Sequence, residues 1–262
     1  MLDVDERRPE TRTRNSQVKA MPSIIQERSD SVAIIRLNRP EKFNALSREM
    51  ILALSDVFIS LDTEPNLRAV ILTGTGDEAF CTGIDTTELA RTNASELSAR
   101  GQALFSQIES CHVPVIAAVN GIASGDGCEL ALGCHLRIAS ANARFSLPEA
   151  RSGIVRGYEH ALEMSTGETV SAEEALRFGL VNHVVPAVEL PARAEFLARE
   201  IAQLAPLAIR ACLEAVNQGI QLPLAEGLAL ETKLFASLFD TDDVREGTSA
   251  FLEKRSPIFK GT

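Results

Sequence analysis

The sequence has no apolar run long enough to cross a membrane. About 20 such residues are needed, and the longest plausible stretch, 113–118, is strand length. No internal repeat is visible. With 16 glycines and 11 prolines in 262 residues, a low-complexity or collagen-like chain is excluded. The cysteines, Cys81, Cys111, Cys128, Cys134 and Cys212, are odd in number and include no C-x-x-C pair. No signal peptide precedes them, so free, mostly buried thiols and a cytoplasmic location are expected. The four histidines, His112, His135, His160 and His183, show no H-E-x-x-H or similar spacing, so no metal site is expected. Basic residues are also short: 26 Lys and Arg stand against 36 Asp and Glu, a formal net charge of −10. A surface of that sign repels phosphate backbones, which argues against a nucleic-acid partner.

The rest is ordinary globular composition, 45% hydrophobic and 24% charged, in a length suited to one domain with appendages or two small ones. Residues 1–21 are polar, carry both charge signs and show no apolar periodicity, so a disordered N-terminal extension is expected. From Ile24 onward strands and helices alternate. Strands are predicted at 31–37, 67–72 and 113–119, with shorter ones at 136–139, 144–147 and 181–185. Ser47 caps a helix to about Leu61 whose apolar face is Met50, Ile51, Leu54, Val57, Phe58 and Leu61. Further helices are predicted at 95–110 and 127–133, and Ser171-x-x-Glu174 is a capping box that starts another. Four more helices are predicted at 189–204, 206–218, 222–239 and 242–254. The fold class is therefore α/β, with a core over 22–188 and a helical region over 189–262. That region carries Leu224, Leu228, Leu234, Phe235, Leu238 and Phe239, more apolar side chains than one face of a small domain needs, so homo-oligomerisation is expected.

The stretch with most chemical content is 114–130. There a buried strand feeds Asn120-Gly121-Ile-Ala-Ser-Gly125-Asp126-Gly127-Cys-Glu129, and this opens a helix. Glycines let backbone approach a ligand, and N–H groups at a helix start suit a developing oxyanion such as a thioester enolate. On spacing alone, a glycine turn with a capping-region glutamate is the favoured reading. Phe80-Cys-Thr-Gly83-Ile84-Asp85 is a loop after a strand, with a possible second N–H donor. Phe145-Ser-Leu-Pro148-Glu149 places a carboxylate at a strand end. Two carboxylates reaching one pocket can divide acid and base roles. Gly74-Thr-Gly76-Asp-Glu-Ala79 matches a dinucleotide fingerprint but lacks a clear helix after it. Cys111-His112 suggests a thiol nucleophile, but a packing or capping role is favoured.

Together these stretches resemble the enoyl-CoA hydratase/isomerase (crotonase) superfamily, as do Asn38-Arg-Pro-Glu-Lys-Phe-Asn44-Ala-Leu46 and residues 241–255. The resemblance runs in order from about Ile24 to the C-terminus. It implies a spiral of ββα units, an acyl-CoA thioester substrate, and no cofactor beyond the coenzyme A that the substrate carries. It also implies trimers, usually paired as hexamers. By position, Glu129 and Glu149 match the two catalytic glutamates of the family, and the N–H groups of Ile84 and Asp126 match its oxyanion hole. Lys42, Ala45, Leu46, Asp85, Thr86, Thr87 and Gly125 fall in segments that line the CoA and acyl pocket.

Two departures qualify the resemblance. Asp126 stands where the family usually has glycine. Its N–H survives, but an extra carboxylate crowds Glu129 and disfavours ionisation of its neighbours. In addition, the segment beginning Gly153-Ile-Val-Arg156 is shorter than usual by roughly a dozen residues, about three helical turns. That segment helps place the catalytic water, so slow hydration is expected. The alternative expectation is a non-catalytic or weakly active homologue that binds acyl-CoA.

Overall fold

The computed structural model describes residues 22–89, 94–148, 151 and 167–262. The N-terminal extension, Glu149 and the shortened segment after Gly153 fall outside the described residues.

Two sheets organise the core. The larger has the order β1-β2-β3-β5-β7-β10. Its strands are β1 (Ile24–Ser29), β2 (Val32–Leu37), β3 (Ala69–Gly74), β5 (Val115–Val119), β7 (Leu136–Ser140) and β10 (His183–Val185). β1 and β2 form an antiparallel hairpin and every other pairing is parallel. The smaller sheet is β4 (Ala79–Cys81), β6 (Ile122–Ser124), β8 (Arg144–Ser146) and β9 (Val170–Ser171), with β9 antiparallel. The chain alternates between them: β3 passes to β4, β5 to β6 and β7 to β8. Helices close the turns, the short α2 (Thr86–Leu89) and α3 (Ala94–Glu109) after β4 and α4 (Asp126–Leu132) after β6. This is the expected spiral of ββα units.

The apolar alternation of the strands loads both faces of the large sheet. Ala33, Ile35 and Leu37 of β2 face one core with α1 (Arg48–Asp62), α3 and α4. Val32 and Ile34 face a second core, with Ile71, Ile116 and Ile138, under Leu190, Ala194 and Ala198 of α6 (Leu190–Ala202). Those three residues recur every fourth position, a single helix face. Ser47 caps α1 by accepting from the Met50 N–H, and α5 (Ala172–Arg177) begins with the predicted Ser171/Glu174 capping box.

Of the second sheet, β8 lies where a strand was expected, but β4 and β6 depart from the sequence expectation. β4 and β6 are three residues each, within stretches read as loop and glycine turn. β4 also settles the dinucleotide fingerprint. The first element after Gly76 is a strand rather than a helix, so no helix N-terminus receives a pyrophosphate there.

Beyond α6 lie α7 (Pro206–Gly219), α8 (Leu224–Leu238) and α9 (Asp242–Glu253). α8 packs mainly on α7, and neither helix has a fully buried residue. Val216, Ile220, Leu224, Leu228, Phe235 and Phe239 are exposed in this chain. No described helix is long and apolar enough to cross a membrane.

Candidate active site

The glycine-rich stretch leaves β5, crosses to β6 and opens α4. Gly125 is the N-cap: its C=O accepts from the N–H groups of Cys128 (2.8 Å) and Glu129 (3.0 Å), and its N–H donates to the Ser146 C=O (2.9 Å). The whole of α4 is buried, including Asp126 at 5% exposure and Glu129 at 3%. Three positions apart, these two side chains share a helix face. A Cβ built on Gly127 would lie 2.0 Å from the Cys81 carbonyl oxygen, so only glycine lets α4 start this close to β4.

The Gly83 turn meets α4 at the same point. Gly83 has φ +90°, and a Cβ there would sit 3.3 Å from the Asp126 nitrogen and 3.0 Å from the Ser124 carbonyl oxygen. Positions 84 and 126, which are 42 residues apart in sequence, are thereby brought side by side. The Asp126 carboxylate occupies the slot between this turn and α3. Its two oxygens lie 3.8 and 3.7 Å from where Cβ atoms on Gly83 and Gly101 would be.

The third wall is the segment after Asn38-Arg39-Pro40. Leu46 and Ile84 form an isolated parallel bridge: the Leu46 N–H donates to the Gly83 C=O (2.8 Å), and the Asp85 N–H donates to the Leu46 C=O (2.9 Å). Buried Asn44 fixes the turn by donating to the carbonyls of Thr75 (3.0 Å) and Ala79 (2.8 Å). Lys42, Thr86 and Thr87 are exposed, Ala45 is half-buried, and Leu46 is fully buried. Asp85 is buried, and the Thr87 hydroxyl bonded to it, with the Thr87 N–H and Arg39, holds its carboxyl down to about 2. The structure thus joins the segment carrying Ala45 and Leu46 to the one carrying Ile84, Asp85 and Thr87, and the Gly83 turn between them and α4 touches Asp126. Glu149 lies outside the described residues. Ser146, three positions earlier, pairs its hydroxyl with that of Ser124 at 2.9 Å, so the strand leading to Glu149 runs against the strand leading to Glu129.

Sequence reasoning missed Arg39, which entered only within the Asn38–Leu46 stretch that resembles the family. Its guanidinium donates to the Ala45 C=O (2.7 Å) and to Asp85 (3.0 Å). Away from this site it missed that Asp62 joins the Cys111-His112 pair: these three are the one group among the described residues close enough to share a cation. There the Asp62 carboxylate is 2.5 Å from His112 Nδ1 and is also near Arg210, while burial pushes the Cys111 thiol up to about 11. A protonated thiol beside an engaged carboxylate and a guanidinium favours the expected packing role. Cys81 and Cys134 are buried thiols pushed up to about 12, mainly by burial.

Residues 27–262 match the family described as Enoyl-CoA hydratase/isomerase. The chain belongs to that family. It is 37% identical to the short-chain-enoyl-CoA hydratase of Clostridium acetobutylicum, over 89% of this chain and 95% of the relative. It is 39% identical to the (E)-benzylidenesuccinyl-CoA hydratase of Thauera aromatica, over 90% and 98%. The crystal structure of an enoyl-CoA hydratase from Bacillus anthracis superposes with a TM-score of 0.89 at 36% identity, covering 92% of this chain and all of that one. This hydratase/isomerase-family chain is thus an enzyme, and the expectation of a homologue without catalysis is not supported. Its match to the Clostridium enzyme spans 249 positions yet takes up about 233 of its 262 residues (89%). About 16 positions of that alignment therefore have no counterpart here.

Proposed function

We propose that the enzyme hydrates an enoyl-CoA thioester, or shifts its double bond, through an enolate held by the N–H groups of Ile84 and Asp126. The supporting observation is the contact between the Gly83 turn and the start of α4, with the Glu129 carboxylate buried one helical turn further on. Two donors aimed at one oxygen stabilise charge as it develops, and losing one such donor costs about 3 kcal/mol in comparable sites. In hydration, water adds at the β-carbon and the electron pair of the double bond moves onto the thioester oxygen. Collapse of that enolate then takes a proton at the α-carbon. Glu129 and Glu149 divide these tasks, one orienting and deprotonating the water and the other delivering the proton. The coenzyme A moiety runs along the exposed strip at Lys42, Thr86 and Thr87, and the acyl group enters between Leu46, Gly125 and Ile84. No cofactor other than that carried by the substrate is invoked.

The exposed apolar side chains of α7 and α8 support assembly through residues 189–262 into a homotrimer or a pair of trimers. An acidic chain with free thiols fits a cytoplasmic enzyme of acyl-CoA, and hence fatty acid, metabolism. The test is turnover of a panel of enoyl-CoA esters, with Glu129→Gln expected to lower kcat at least 100-fold, about 2.7 kcal/mol, while thioester binding persists. Full activity in that variant would reject the reading.

A further inference from the structure

We propose that Arg39 and Asp85 are a positioning pair that aims the Ile84 N–H at the thioester oxygen. The inference rests on the oxyanion role proposed above for Ile84. Backbone direction comes from the Leu46–Ile84 bridge. Its two hydrogen bonds use the groups flanking Ile84, the Gly83 C=O and the Asp85 N–H. Because N–H and C=O groups alternate in direction along extended backbone, the N–H of Ile84 itself points the other way. The start of α4 lies beside this turn, where a Cβ on Gly83 would sit 3.3 Å from the Asp126 nitrogen.

A two-bond bridge outside either sheet is a weak hold on so specific a direction. The segment opposite also contains a left-handed pair, Phe43 at φ +50° and Asn44 at φ +55°. Arg39 adds the missing constraint. One guanidinium nitrogen donates to the Ala45 C=O, one residue before the bridge on the first segment. The other donates to Asp85 Oδ2, one residue after it on the second. The remaining oxygen, Asp85 Oδ1, accepts from the Thr87 N–H (3.0 Å) and hydroxyl (2.6 Å), which fixes the carboxylate plane. Both oxygens are therefore engaged within the protein. Asp85 acts through its neighbour Ile84, its two oxygens already taken by Arg39 and Thr87. The Arg39 backbone is held too, its N–H donating to Asn44 Oδ1 (3.0 Å).

The experiment compares the full-length chain with Arg39→Gln, Arg39→Lys and Asp85→Asn. Thr82→Val serves as control, since the Thr82 hydroxyl crosses the same two segments to the Phe43 C=O (3.3 Å) without touching the pair. Two readouts are taken: kcat and KM with crotonyl-CoA, and the absorption red shift of a bound dimethylaminocinnamoyl-CoA, which reports polarisation of the thioester carbonyl. Arg39→Gln and Asp85→Asn should lose most of the red shift and about 10- to 100-fold in kcat, the scale of a 1 Å misplacement. KM should stay within about threefold. Arg39→Lys should recover part of both losses, and Thr82→Val should match wild type. Should Arg39→Gln not fold, the near-isosteric Asp85→Asn carries the comparison. An undiminished red shift in the variants, or a rise in KM at constant kcat, would overturn the pair's role alone. No red shift in wild type would overturn the oxyanion reading, and this inference with it.

Discussion

Replacing Gly127 by alanine tests how α4 is placed. The added methyl would lie 2.0 Å from the Cys81 carbonyl oxygen and 2.8 Å from the Cys81 Cβ, against an ordinary contact of 3.4 Å. Neither atom belongs to a flexible side-chain end, so the helix start must retreat by about 1.4 Å from β4 to restore contact. Overpacking of this kind costs about 1–3 kcal/mol. At roughly 2–4 °C per kcal/mol for a chain of this size, Tm should fall by about 2–12 °C. The Asp126 N–H moves with the helix, and a 1 Å misplacement costs about 100-fold in rate. Gly133→Ala is the matched control. It ends the same helix at φ −65°, and its added methyl meets the Glu129 and Phe105 carbonyl oxygens at an ordinary 3.5 Å. That variant should be as stable as wild type or more so, by up to about 1 kcal/mol. Thermal unfolding and crotonyl-CoA hydration, followed by loss of the enoyl-thioester absorbance, check both. A Gly127→Ala protein within about 2 °C of wild type, with unchanged kcat, would refute the claim that the α4–β4 approach sets the site.

A chain beginning at Met21 should keep its Tm and activity, measured side by side with the full-length protein. Light scattering at micromolar concentration should give a trimer or hexamer, and Leu228→Glu with Phe235→Glu should shift it towards monomer. Acid should weaken the fold through His135. Its ring is half-buried, accepts from the Val115 N–H (2.9 Å) and lies 3.0 Å from the Glu109 C=O, and its partial burial lowers its pKa below the ordinary 6.5. The unfolded chain then binds the proton more readily, so His135 leaves stability unchanged above about pH 6.5 and reduces it as pH falls from there through the folded value. His135→Gln should flatten that part of the Tm–pH curve. Asp85, held down to about 2, adds no slope in this window, because its contribution is lost only below about pH 4.

Local signals in the sequence carried much of the fold. The Ser47 cap, the apolar face of α1 and the Ser171/Glu174 box each complete their pattern within a few residues, and each appears in the structure where the pattern placed it. The glycine-rich run at 121–127 likewise announced a close backbone approach. Three-residue strands such as β4 and β6 contain less than two periods of alternation, so nothing local separates them from loop. Family resemblance supplied the acidic residues and the two N–H groups, whereas composition and spacing left them no better than a turn and a solvated loop.

Tertiary structure alone decided which of these groups meet. Ile84 and Asp126 come together because β4 and β6 pair in parallel, and Arg39 reaches Asp85 across 46 residues. Sequence periodicity records which face of an element is apolar, because that preference acts on each residue separately. The distance between two polar groups depends on how whole elements pack, so it appears only once the sheets have closed around their cores.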